Sequence, residues 1–95
     1  MREKELEKKL VKAVKETGGW CVKFVSPGNA GVPDRLILLP GGRAMFAEIK
    51  APGKKPRPLQ EVLIRKLRNF GFLVFIIDEE SQISKLVEVA EHVRT

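Results

Sequence analysis

At 95 residues, 43% hydrophobic and 32% charged, the chain is too short for two cores and too apolar to stay disordered, so one domain over residues 1–95 is expected. A net charge of +6, from 18 Lys and Arg against 12 Asp and Glu, favours a polyanionic partner without choosing among DNA, RNA and an anionic membrane. The single cysteine, Cys21, excludes an intramolecular disulfide and a thiolate metal cage, and no apolar run is long enough for a membrane span, so a soluble cytoplasmic protein is expected.

Leu6, Leu10, Ala13 and Val14 recur at helical spacing between Arg2 and Thr17, and Gly18 and Gly19 end that amphipathic helix. Glu3 falls inside its apolar stripe and Glu7 at the stripe's edge, so Glu3 is expected to face inward. Trp20 to Ser26 alternates as a strand, and SPGNAGVP, Ser26 to Pro33, is a loop of turn formers. Leu36–Leu39 and Ala44–Ile49 flank PGG and read as a hairpin, followed by the loop APGKKPRP. Leu59, Val62, Leu63, Leu67 and Phe70 mark a second amphipathic helix closed by Gly71, and Phe72–Ile77 is the last strand. Ser81 caps a terminal helix bearing Ile83, Leu86, Val87 and Ala90, with Asp78 and Glu79 in the turn before it. The order is αβββαβα, an α/β chain. Trp20, Phe24, Phe46, Phe72 and Phe75 sit at strand spacing in apolar segments and are read as core rather than base-stacking platforms.

The hairpin register decides what its charges can do, because residues opposite one another in an antiparallel pair share a face. A two-residue Gly41-Gly42 loop would put Asp34 and Glu48 on different faces, but it uses the backbone N–H at position 40, which proline lacks. A three-residue loop, with Pro40 opening a type I turn and Gly42 in the left-handed conformation, pairs Leu39 with Arg43. Asp34 then lies opposite Glu48, and Lys50 shares their face. Both faces of the hairpin are otherwise apolar, so helices must cover both sides, and an opening is expected where the hairpin runs out into the two Gly/Pro loops.

Two carboxylates at cross-strand distance repel each other unless they share a cation, and such oxygen pairs suit Mg²⁺ or Mn²⁺ with water and phosphate in the remaining positions. Lys50 adds a compact positive charge suited to an attacking hydroxide and a phosphate. Glu3, near a helix end, is a candidate to complete the metal site. Lys54, Lys55 and Arg57 follow in the adjoining loop and suit phosphate contacts, while Ser26 and Asn29 are placed at the entrance. Arg35 points to the opposite face, as a salt-bridge partner.

Pro33-Asp34 followed by Glu48-Ile49-Lys50 resembles the PD-(D/E)xK nuclease signature on its αβββαβ restriction-endonuclease-like core, a mixed sheet flanked by helices, here with an extra C-terminal helix. SPGNAGVPDRLILLPGGRAMFAEIKAPGKKPRPLQ, with a first helix opening on Glu and with Gln60 on the second, resembles the stand-alone VRR-NUC domains of phage and bacterial type. The resemblance implies that Asp34 and Glu48 are metal ligands joined by the main-chain carbonyl of Ile49, and that Lys50 positions or activates water. It further implies a helix-borne glutamate, Glu3 with Glu7 as runner-up, and a glutamine, Gln60, near the active centre. The reaction implied is divalent-metal-dependent hydrolysis of phosphodiester bonds in DNA.

A domain without an accessory module has little surface for base readout, and a two-fold dimer suits symmetric incisions, so a homodimer acting on Holliday junctions or related branched DNA is expected. Two other readings stand beside it: a less selective DNA nuclease or nickase, and a non-catalytic basic nucleic-acid-binding module with vestigial carboxylates.

Overall fold

The computed structural model describes residues 1–92. In chain order it contains α1 (Glu3–Glu16), β1 (Trp20–Lys23), β2 (Arg35–Leu39), β3 (Arg43–Ile49), α2 (Pro58–Asn69), β4 (Val74–Ile77) and α3 (Glu80–His92), the αβββαβα order expected. The four strands form one mixed sheet in the order β1-β2-β3-β4, antiparallel across the first two pairings and parallel between β3 and β4. A parallel neighbour cannot be reached by a tight turn, and α2 supplies the crossover. Among the described residues no helix is long and apolar enough to cross a membrane.

Alternation along the strands sorts side chains between two helical layers. Ile37, Leu39, Met45, Ala47 and Ile49 point to one side, where they pack with Leu6, Leu10 and Val14 of α1 and Ile83, Leu86 and Ala90 of α3. Leu36 and Phe46 point to the other, with Val74 and Ile76, and meet Ile64 and Leu67 of α2. The sheet is therefore the middle of three layers, covered on both faces as the apolar hairpin requires.

Leu39 pairs with Arg43 and Arg35 with Ala47, so the loop holds three residues, Pro40, Gly41 and Gly42. The turn itself differs from the type I expected: Gly41 and Gly42 both have positive φ, at 87° and 77°, so Pro40-Gly41 follows the type II pattern. The register is unaffected because loop length, not turn type, sets the pairing here.

Three further expectations are corrected by packing. Trp20 is 66% exposed and Phe72 39% exposed, because α2 covers β3 and β4 and stops short of the β1 edge and the turn end. On α2 the side chains of Leu59 and Val62 are exposed, as is Phe70 just past its end, and the buried contact is made by Ile64, with Leu63 and Leu67 half-buried. Ser81 lies inside the first turn of α3, where its hydroxyl donates to the Glu79 carboxylate instead of capping the helix.

Candidate active site

Asp34 follows the buried Pro33 and is held by backbone bonds on both sides. Its carbonyl accepts from the Phe24 N–H at 2.9 Å, and its own N–H donates to Oε1 of Glu48 at 3.1 Å. Oδ2 of Asp34 in turn accepts from the Ile49 N–H at 3.0 Å. Each acid thus grips the backbone beside the other, which fixes both carboxylates at the open end of the hairpin on the α2 side of the sheet.

The second oxygen of Glu48 is shared by two donors. Lys50 Nζ lies 2.9 Å from Oε2, and Gln60 Nε2 donates to the same atom at 2.7 Å. Gln60 Oε1 accepts from the Arg57 N–H at the start of α2, at 2.9 Å. That bond satisfies one of the helix's otherwise unpaired amides and leaves the nitrogen end of the Gln60 side chain to face Glu48. Close docking of α2 depends on Gly31, whose φ is +94°: a Cβ there would lie 3.1 Å from Leu59 Cγ and 3.3 Å from Gln60 N.

Glu48 is 1% exposed, so its carboxylate lies beneath Gln60 and Lys50 and the opening expected at this end is largely closed over it, while Asp34 is half-buried. Burial pushes its carboxyl pKa up and the Asp34 charge adds to the rise, while the Lys50 hydrogen bond and charge oppose them.

The oxygen atoms left over fit a hard divalent cation. Among the described residues Asp34 Oδ1 accepts no hydrogen bond, and Glu48 Oε1 accepts only one. The Ile49 N–H points toward Asp34, whereas the Lys50 N–H points the other way, to the Ile77 carbonyl at 2.9 Å. Because N–H and C=O of one strand residue point to the same side, the Ile49 carbonyl also faces the β2 side. Two carboxylates and a carbonyl make an all-oxygen set of the kind Mg²⁺ and Mn²⁺ accept.

The helix-borne glutamate does not join this set. Glu3 is exposed rather than inward-facing, and α1 covers the face of the sheet opposite Glu48. Glu7 pairs with Arg35, Oε2 to Nε at 2.9 Å, on that opposite face as expected for Arg35. Among the described residues no three His, Cys, Asp or Glu side chains gather into a metal-holding group. Lys54, Lys55 and Arg57 are exposed in the loop between β3 and α2. Ser26 and Asn29 bond to each other, Nδ2 to Oγ at 3.0 Å, and line a depression with Leu63 and Leu67 of α2 and with Phe70 just past its end.

Asp78 lies, as expected, in the turn between β4 and α3, at the same end of the sheet as the acid pair. Ile49 pairs with Ile77, and Asp78 is the next residue beyond that pairing. Its Oδ1 is buried without a hydrogen-bond partner among the described residues.

A mixed four-stranded sheet in this order, with an acid pair across the hairpin mouth and a lysine two residues beyond the second acid, defines the restriction-endonuclease-like nuclease fold. No family model matches the chain. It is 46% identical over 89 residues to "Putative nuclease p44" of Acyrthosiphon pisum secondary endosymbiont phage 1, an alignment covering 94% of this chain and 96% of that protein. A solved structure described as a VRR_NUC domain matches with a TM-score of 0.85 at 32% identity, covering 90% of this chain and 94% of the other. The chain belongs to the VRR-NUC family of PD-(D/E)xK nucleases.

Proposed function

We propose that residues 1–95 form one nuclease domain, a divalent-metal-dependent DNA endonuclease that acts in the cytoplasm and cuts Holliday junctions or related branched DNA as a homodimer. The observation that carries this reading is the reciprocal grip between Asp34 and Glu48, with Lys50 Nζ 2.9 Å from the buried glutamate. Asp34 Oδ1, Glu48 Oε1 and the Ile49 carbonyl would hold Mg²⁺ or Mn²⁺, and Glu3 stays outside the ligand set. The ion, when bound, supplies Lewis acidity toward the phosphate and lowers the pKa of water.

The chain's own residues do the positioning. Gln60 keeps the Glu48 carboxylate from rotating, so its other oxygen stays turned toward Asp34. Lys50 sets a positive charge beside the reacting phosphate and steadies the attacking water, whose oxygen joins phosphorus as the ester P–O bond breaks and the leaving oxygen takes a proton. Lys54, Lys55 and Arg57 contact the flanking phosphates. Support for a dimer comes from Trp20, Leu38 and Phe72, which expose large apolar surface around the turn end of the sheet.

The deciding assay gives purified protein labelled four-way junction, flap, single-stranded and linear duplex DNA with Mg²⁺ or Mn²⁺. Paired nicks confined to the junction are expected, abolished by Asp34→Asn and slowed about 10²–10³-fold by Lys50→Ala, the scale for losing a charge-stabilising donor. Equal cutting of every substrate would reject the selectivity and keep the chemistry. Salt-sensitive binding without cleavage at any divalent ion concentration would reject the enzyme.

A further inference from the structure

Four lysines of α1 form a stripe that the site described above does not use. At about 100° per residue, Lys4, Lys8, Lys12 and Lys15 fall within an arc of about 80°, and all four are exposed. They line a groove whose other wall is Lys23 of β1 and Arg35 of β2. The acids near them do not cancel this charge. Glu7 lines the same groove but is paired with Arg35 at 2.9 Å, so that pair is neutral and the groove's excess charge is that of Lys4, Lys8, Lys12, Lys15 and Lys23. Glu5 and Glu16 lie on one flank, toward Lys9, which pairs with Glu80 of α3 at 2.8 Å.

We infer that this groove is a second DNA-backbone track, holding one duplex arm of a branched substrate while the Lys54–Arg57 loop holds another; the inference rests on the DNA-cleaving reading above. From Lys4 to Lys15 the helix rises about 16 Å, the length over which one strand of B-form DNA presents about five phosphates. The groove starts beside Arg35, the chain neighbour of Asp34, and lies on the α1 side of the sheet. The loop carrying Lys54, Lys55 and Arg57 leads into α2 on the opposite side. Two basic surfaces diverging from a site at the end of the sheet suit two arms leaving a branch point, whereas a straight duplex follows only one of them. An anionic membrane fits less well, because the groove's one apolar residue is Val11 and the exposed Trp20 and Phe72 belong to the other face of the sheet.

The test compares the triple variant Lys4→Gln/Lys8→Gln/Lys12→Gln with a charge-matched control, Arg65→Gln/Lys66→Gln/Lys85→Gln. Each lowers the net charge by three, from +6 to +3. Affinities for a long-armed four-way junction and a linear duplex are measured with Ca²⁺ in place of Mg²⁺ over a range of salt, after melting curves establish that both variants fold. The track variant is expected to lose about tenfold or more on the junction and much less on the duplex, with its salt slope smaller by about two to three. Equal losses in both variants, or a track variant that binds the junction like the wild type, would overturn the track while wild-type cleavage upholds the nuclease. Release of the track variant from phosphatidylserine vesicles with junction binding unchanged would overturn it in favour of a membrane. A wild-type protein that cuts no DNA with Mg²⁺ or Mn²⁺ would instead sink the reading on which the track rests.

Discussion

Glu48 combines deep burial with three polar neighbours, Asp34, Lys50 and Gln60, and two consequences can be measured. Its raised pKa means the folded chain keeps a proton that the unfolded chain has already released, so stability falls as pH rises from the ordinary glutamate value through the folded one. In EDTA, wild-type melting temperatures should decline across that window, and Glu48→Gln should flatten the decline; a Glu48 contribution that grows with pH would contradict the burial argument. A divalent ion selects the ionised pair, so Mg²⁺ should raise the wild-type melting temperature more at neutral pH than in acid. Gln60→Ala removes the donor that fixes Glu48 Oε2, and its expected cost is about 10–100-fold in metal affinity or turnover, the scale for a residue that orients a ligand. Titration of Mn²⁺ into Gln60→Ala and wild type separates this from a folding defect, which would show in the melting curve instead. Cys21 carries the opposite message: burial pushes its thiol up to about 11, so it stays protonated and slow to alkylate while the fold is intact.

Among the elements, the hairpin was the most legible, because one missing N–H at Pro40 excludes the shorter loop and the longer one dictates every pairing down to Asp34 and Glu48. The helix calculation for Glu3 failed for a different reason. A wheel gives the angle of a side chain about its own axis but not which layer the helix occupies, and α1 lies behind the sheet from the acids. Strand alternation likewise gave Trp20 a face but could not say that α2 ends before reaching β1. The approach of α2 to the Ser26–Pro33 loop was also invisible, since it depends on Gly31, whose neighbours lie in a distant segment. Gly31→Ala should cost about 1–3 kcal/mol, from a strained positive φ and from displacing Leu59 and the Gln60 backbone. Gly28 has φ +84° with nothing within 4 Å of an added Cβ, so Gly28→Ala controls for strain alone. Cleavage should fall further in Gly31→Ala than in Gly28→Ala, because only the first moves the residue that holds Glu48. Equal activity in the two variants, measured below both melting transitions, would show that α2 docking does not set the site.

For the whole molecule, the division of surface matters more than the net charge. Basic residues crowd the site end and the α1 groove, while Trp20, Leu38, Phe72 and Leu73 leave apolar surface at the turn end. A small domain gains stability by covering such surface, and a two-fold interface there would leave both sites facing outward, away from the contact. Trp20 is the residue to change, because at 66% exposure it carries little of the monomer's core and sits on the sheet's edge strand. Trp20→Arg should fold with a melting temperature close to that of the wild-type monomer yet dissociate at least about tenfold more readily, the effect of losing a modest part of a central aromatic contact. Sedimentation equilibrium measures the association, and the cleavage pattern supplies an independent reading. A dimer places two incisions within one encounter, so the wild type should release linear products from a closed cruciform plasmid without accumulating singly nicked circles, and Trp20→Arg should accumulate them. If the wild type sediments as a monomer at concentrations where it still makes coupled incisions, the apolar surface is not a subunit contact and the pairing of cuts must come from the DNA.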